Sequence, residues 1–340
     1  MGQTVGIAVV GLGYWGPNLL RNFAETPGAR VVAGCDARAE LLERQRARYP
    51  AIRFVSRYEE LLNDPEVDAI ALATPAATHE AMAEAALRAG KHVLVEKPIA
   101  TSSAGARRLI EAARAASRVL MVGHTFEYNP AVLRLREVVQ GASFGRPVYA
   151  YTTRVNLGQI RDDVNAMWNL APHDISILLF LFGEPPVAVS ANGKAFVRPQ
   201  QEDVVFVYLE FPSGAVAHVH VSWLDPSKVR RVTVVGERQM AVYDDLDAEA
   251  KLRIYDKGVD QQVIPHEGGL YDYALRLRAG DIVCPQIPWK EPLLLECAHF
   301  VECVSRGERP RTDGENGLRV TRVLEAAQES LRAQGRRVSV

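Results

Sequence analysis

Val5-Gly6-Ile7-Ala8-Val9-Val10-Gly11-Leu12-Gly13-Tyr14-Trp15-Gly16 is the stretch that decides the fold. Six mostly apolar residues read as a buried strand, and the segment from Pro17 to Glu25 that follows has helical spacing. The glycines between them form a G-x-G-x-x-G at the strand-to-helix turn, where each has a separate physical task. Gly11 permits the tight turn, Gly13 lets a pyrophosphate approach bare backbone, and Gly16 lets the helix close on the strand. The exposed amides at the helix start favour an anion, and Tyr14 and Trp15 complete this cofactor-facing turn. Asp36 ends the second apolar run 20 positions beyond Gly16 (36 minus 16). There a carboxylate accepts hydrogen bonds from an adenosine ribose and repels a 2'-phosphate, so NAD is expected. Arg38, two residues on, keeps NADP open as the second choice and is an alternative adenine contact.

Working outward, the first 120 or so residues alternate short apolar runs with helical segments. Strands are predicted at Val5–Val10, Val31–Cys35, Arg53–Val55, Ala69–Ala73, His92–Val95 and Val119–Val122. This is the βαβ pattern of a doubly wound parallel sheet, a Rossmann fold. After about residue 125 the rhythm changes. A helix at Pro130–Gln140, a strand at Val148–Arg154 and a helix at His173–Phe182 lead into strand-like runs up to Leu252–Asp256, and two helices close the chain. The alternation of Ala215-Val216-Ala217-His218-Val219-His220-Val221 suits an antiparallel strand with one covered face. The expected class is therefore α/β, with a Rossmann domain over 1–124 and an α+β domain over 125–340 built on an open, mostly antiparallel sheet. Its last two helices are free to fold back on the first domain.

Composition limits the partners. Forty Lys+Arg balance 41 Asp+Glu in 340 residues, so no global positive field holds the chain on nucleic acid or an anionic bilayer. Neither partner is expected. Cys35, Cys284, Cys297 and Cys303 lack a zinc or disulfide spacing, and with no basic leader before Val5 a cytoplasmic location is expected. His218 and His220 share a strand face but have no evident third ligand, so no metal is assigned.

At the carboxyl end of the fifth predicted strand stands Glu96-Lys97-Pro98, on the edge where open α/β sheets bind ligands. A lysine there can stabilise a developing alkoxide or carry a proton, and the Lys97–Pro98 bond can be cis or trans. Taken together, Gly11-x-Gly13-x-x-Gly16, Thr74-Pro75 followed by His79, Glu96-Lys97-Pro98 and His173 within Asn169-Leu170-Ala171-Pro172-His173-Asp174 resemble the Gfo/Idh/MocA family of oxidoreductases. The likeness runs nearly to the end of the chain, through Glu291-Pro292-Leu293, Gly314 and Glu325-Ala326-Ala327.

The resemblance implies a cofactor site that includes Thr74, Pro75, His79, Glu96 and Lys97. It also implies a substrate bound between the two domains, and an oligomer, dimer or tetramer, through the second sheet. Lys97 and His173 fall on its catalytic positions for hydride transfer at a secondary carbon of a sugar, cyclitol or sugar nucleotide. Asn169 stands where many members have Asp, which leaves Asp174 as the residue to orient the imidazole. With a reference pKa of about 6.5, His173 suits proton removal near neutrality.

Arg154, Asn156, Arg161 and Asn165 precede His173 in a polar segment, and arginine forks suit an anionic substrate. This segment resembles the subset acting on nucleotide-linked sugars, such as UDP-N-acetylglucosaminuronate 3-dehydrogenases. His124 and Tyr128, after the sixth strand, are candidate pocket walls. The alternatives are an inositol or free-sugar dehydrogenase, and a non-catalytic NAD-dependent sensor.

Overall fold

The computed structural model describes residues 4–158, 160–161, 163–265 and 271–340. In chain order the elements of the first half are β1 (Val5–Val10), α1 (Gly16–Glu25), β2 (Ala29–Cys35), α2 (Ala39–Arg48), β3 (Arg53–Val55), α3 (Glu59–Leu62), β4 (Ala69–Leu72), α4 (Ala76–Arg88), β5 (His92–Glu96), α5 (Ser103–Ala116) and β6 (Leu120–Gly123). The second half comprises α6 (Pro130–Val139), β7 (Pro147–Leu157), α7 (Ala166–Phe182), β8 (Ala188–Lys194), β9 (Val204–Glu210), β10 (Val216–Ser222), β11 (Leu224–Gly236), β12 (Met240–Asp244), β13 (Leu252–Pro265), β14 (Tyr271–Val283), α8 (Pro292–Arg306), α9 (Gly314–Arg332) and β15 (Val338–Ser339). The chain divides into two compact units, residues 1–129 with 290–325, and residues 130–289 with 326–340.

The first unit carries a six-stranded parallel sheet in the order β3-β2-β1-β4-β5-β6. Every residue of β1, β4 and β6 is buried, as both-face burial in a parallel sheet requires. One face packs Val10, Leu72, Val95 and Val122 with Leu87 and Leu109. The other packs Ile7, Val9, Leu94 and Met121 with Leu19, Phe23, Cys297 and Phe300. Phe23 and Phe300 meet edge to face at 6.1 Å, which seats α8 beside α1. The strand order reverses between β1 and β4, and at that reversal the carboxyl ends of the strands leave a crevice.

The second unit is a nine-stranded sheet in the order β14-β13-β12-β11-β7-β10-β9-β8-β15. All its neighbouring pairs are antiparallel except β7 with β10. On β10, Ala217, Val219 and Val221 are buried while His218 and His220 are half-buried, and α7 covers the apolar face.

Two boundaries differ from the sequence reading for physical reasons. The helix expected over His173–Phe182 begins seven residues earlier (173 minus 166), and Pro172 lies inside α7. The helix begins at Ala166 because the Asn165 side chain accepts from the Trp168 amide (3.0 Å), and the burial of Met167, Ala171 and Pro172 holds the first turns. β13 runs well past Asp256, and its partner β14 was not anticipated. Leu277 is 82% exposed, and none of the described side chains of β14, residues 276–283, is buried, so they give no burial pattern to read. Among the described residues no helix is long and apolar enough to cross a membrane.

Candidate active site

The glycine turn is fixed by sterics that admit no side chain at two of its three positions. Gly11 has φ +89°, and a Cβ there would lie 2.6 Å from the Ala73 carbonyl oxygen and 2.8 Å from the Thr74 amide. The turn after β1 thus touches the loop after β4, at the reversal in strand order. A Cβ on Gly16 would stand 1.8 Å from the Gly11 carbonyl oxygen. At Gly13 the nearest atom is the tip of the Arg38 side chain, 3.2 Å away. No side chain caps the start of α1; Pro17 has no N–H and the Asn18 amide donates to the Trp15 carbonyl (2.9 Å), so an anion would meet the turn's own backbone up to Gly16. Tyr14 is 92% exposed.

Asp36 is buried at the end of β2. Its Oδ2 accepts from the Leu12 amide (2.7 Å), and its Oδ1 from the Arg38 amide (3.0 Å) and Arg38 Nε (3.2 Å). Burial opposes ionisation, yet the Arg38 side chain and these amides together hold the carboxyl below the usual aspartate range. Arg38 Nη2 also reaches Oδ2 at 3.5 Å, so the carboxylate's acceptor positions, about four in number, are taken, and ribose hydroxyls would enter by displacing the Arg38 side chain.

His79, on α4 and 1% exposed, joins two loops. Its Nδ1 lies 2.8 Å from the Pro98 carbonyl oxygen and its Nε2 2.9 Å from that of Thr74. Pro75 precedes α4, and Thr78 Oγ1 donates to Thr74 Oγ1 (2.8 Å). The Lys97–Pro98 bond is cis.

Glu96 ends β5 buried, its Oε2 accepting from the Lys97 amide (3.3 Å). Burial pushes its proton affinity up, while Lys97 and then Trp15 pull it back. His124 is 1% exposed with neither ring nitrogen hydrogen-bonded. Burial, aided by the Lys97 charge, presses its pKa down to about 3. Tyr128 is a packing residue whose hydroxyl meets Thr312 Oγ1 (3.1 Å) under the Arg311 guanidinium.

The His124 shift sets a pH dependence. The unfolded chain protonates first, near pH 6.5, so the stabilisation from the neutral imidazole is complete above that pH and declines as the pH falls toward 3. The slope is on the order of 1 kcal/mol per pH unit. Thermal unfolding followed from neutral to acid pH should show this loss, and His124→Gln should flatten it; an equally steep slope in the variant would count against the assignment.

In the second unit His173 lies on α7, half-buried, its carbonyl accepting from Ser176 Oγ (3.0 Å). Asn169 Oδ1 accepts from Trp223 Nε1 (3.2 Å). Asp174 and Arg154, on α7 and β7, form a buried ion pair, with Arg154 Nε 2.6 Å from Asp174 Oδ2. Despite Arg154, burial raises the proton affinity of Asp174. Arg161 pairs with Asp163 (2.6 Å). Asn165, besides capping α7, donates to Glu202 Oε2 (2.7 Å) and Gln328 Oε1 (3.0 Å). Asn156 is half-buried near the end of β7, close to Gly158. Among the described residues no group of three or more His, Cys, Asp or Glu is placed to hold a metal. Glu296 is the residue that sequence reasoning missed: a fully buried carboxyl on α8 whose Oε2 accepts from Thr125 Oγ1 (2.6 Å). Its position inside an apolar helical stripe was the available signal.

Comparison with known proteins agrees with this geometry. Residues 5–124 match the oxidoreductase family with an NAD-binding Rossmann fold, and residues 132–242 match the GFO/IDH/MocA C-terminal domain. The UDP-N-acetylglucosamine 3-dehydrogenase of Acidithiobacillus ferrooxidans is 33% identical over 65% of this chain and 68% of its own. Inositol 2-dehydrogenase 2 of Saccharopolyspora erythraea is 32% identical over 64% of this chain and 67% of its own. The crystal structure of GenD2 from gentamicin A biosynthesis, in complex with NAD, superposes with a TM-score of 0.83 at 26% identity, covering 100% of this chain and 97% of that one. With its glycine turn, its Glu96-Lys97-Pro98 edge and matches across both units, the chain belongs to the Gfo/Idh/MocA family of oxidoreductases, whose Rossmann domain binds NAD.

Proposed function

We propose that this oxidoreductase moves a hydride between NAD and a secondary alcohol or ketone carbon of a sugar or nucleotide sugar. The observation that carries the reading is the Glu96–Lys97 step at the carboxyl end of β5, in the unit whose glycine turn meets the β4 loop, with His79 tying Thr74 to Pro98. NAD, when bound, supplies the nicotinamide C4 that takes or returns the hydride. The chain supplies position and charge. Bare backbone at Gly13 and the uncapped start of α1 admit the pyrophosphate, and Asp36 accepts the ribose hydroxyls. The Lys97 ammonium stabilises the alkoxide, and His173 takes or returns the hydroxyl proton.

The relatives act, by name, on a UDP-sugar and on inositol, and a nucleotide sugar is the first reading for this chain. The Arg154–Asp174 pair favours the second, because an arginine neutralised by a buried carboxylate offers less to an anionic substrate. Absorbance at the NADH band, screened over UDP-sugars, uronates, hexoses and inositol, should find turnover in one class. If NAD binds and none is oxidised, the non-catalytic sensor replaces this proposal.

For assembly, the half-exposed face bearing Tyr149, Tyr151, Phe206 and Tyr208, with Phe206 stacked on His218 and His220, is the proposed contact between copies. Light scattering should report a dimer or tetramer that Phe206→Glu with Tyr151→Glu dissociates; a wild-type monomer would refute it. Four unpaired cysteines fit a cytoplasmic location.

A further inference from the structure

Two buried carboxyls lie together in the first unit, and the proposed chemistry gives one of them, Glu296, no task. Glu96 ends β5 opposite Gly123 of β6, and its carboxyl fills the space over that glycine, with Oε2 and Oε1 at 2.9 and 3.1 Å from where a Cβ would stand. Thr125, two residues beyond Gly123, donates to Glu296 Oε2. Residues 123–125 therefore seat one carboxyl at each end of a three-residue step, with the buried His124 in its middle. Glu96 Oε1 and Glu296 Oε1 are both shielded from solvent and neither makes a hydrogen bond of good geometry, although the Trp15 indole stands near enough to Glu96 to favour its charged form.

The surrounding charges decide how many protons the pair holds. Glu96 has the Lys97 ammonium beside it. Glu296 faces Glu96 and Glu127, with only the Thr125 hydroxyl opposing the burial and repulsion that raise its proton affinity. His124 is held neutral. Glu127 accepts from Asn316 Nδ2 (3.0 Å). On the side of α1, Arg21 is paired with Glu291 (2.6 Å), and Cys297, next to Glu296, is driven toward its thiol form by burial and by Glu296. Ionising both carboxyls would bury two like charges against one ammonium, which is costly.

Hydrogen bonding then assigns the proton. Glu296 Oε2 already accepts from Thr125, so an acidic hydrogen belongs on Oε1, and the buried Glu96 Oε1, which lacks a hydrogen bond of good geometry, is the acceptor that matches it. We propose that Glu296 is a positioning residue that stays protonated on Oε1 and directs that proton toward ionised Glu96, so that Glu96 keeps the carboxylate charge beside Lys97. The effect on turnover rests on the dehydrogenase reading; the location of the proton does not.

Infrared difference spectra of the full chain, wild type against Glu296→Gln, Glu296→Leu and Glu96→Gln, locate the proton without turnover. Read at about pH 9, above the value of about 7 to which burial pushes Glu96, the carbonyl stretch of a protonated acid should be lost in both Glu296 variants and persist in Glu96→Gln. A band lost only in Glu96→Gln, or absent from the wild type, overturns the proposal. The Glu96 carboxylate signal, identified by its loss in Glu96→Gln, gives a second test. In Glu296→Leu its protonation should move up by about one pH unit, because a donor to the charged form is gone, and Glu296→Gln should restore it toward wild type. A downward move in both variants means that a negative charge was removed and sinks the idea. If Glu296→Leu does not fold, the bands and the direction of the Glu296→Gln shift still decide. With an oxidisable substrate, kcat should fall about tenfold in Glu296→Leu and recover in Glu296→Gln; equal losses mean a packing role. Should no alcohol be turned over, the dehydrogenase reading fails while the infrared result still stands.

Discussion

Lys97→Ala is expected to lower kcat by about 10²–10⁴-fold and to leave NAD affinity within about threefold. The ammonium follows β5, where its charge reaches Glu96, His124 and His79. On the proposed reading, an alkoxide forming there would gain a counter-charge that the ground-state alcohol does not need, so the lysine would act on the transition state rather than on binding. Lys97→Arg should recover little, since a planar fork does not replace a compact ammonium. Steady-state kinetics paired with a fluorescence titration of NADH separates the outcomes. Equal loss of kcat and cofactor affinity would mean that Lys97 is a cofactor ligand only. His173→Ala should lose activity on a similar scale if it handles the hydroxyl proton, and retention of kcat would remove it from the proposed chemistry.

The second large effect concerns the fold itself. Gly16→Ala puts a Cβ 1.8 Å from the Gly11 carbonyl oxygen, and both sides of that clash are main chain, so α1 must lift from β1. A loss of about 3 kcal/mol or more, or insoluble protein, is expected. Gly13→Ala is the informative contrast: its Cβ meets only the movable end of Arg38. It should fold with near-native stability and lose NAD affinity. Thermal unfolding of the pair tests this, and equal stability of the two variants would show that the closeness at Gly16 is not structurally required.

These predictions draw on parts of the molecule that differ in how legible they were from sequence. The six parallel strands could be read because burial on both faces leaves unbroken apolar runs, and the glycine turn because each glycine answers a local steric demand. Lys97 and His173 could be singled out only as a motif set, since a lysine ending a strand and a histidine on an apolar helix each have ordinary structural explanations. Hydrogen bonds between distant segments were illegible. Nothing in the order of residues shows that Arg154 is spent on Asp174, that Asn165 caps α7 and holds Glu202, or that Thr125 donates to Glu296. β14 stayed hidden for a different reason: its described side chains, residues 276–283, are not buried and so carry no pattern of burial to read.

The imidazole of His79 makes the segment from Thr74 to Pro98 one mechanical piece. Chimeras that graft a relative's β4 loop or β5 loop alone would strand one carbonyl without its imidazole contact. Grafts that carry both loops with the intervening helix keep the junction whole. Redesign of cofactor or alcohol preference in this chain is therefore best cut outside residues 74–98.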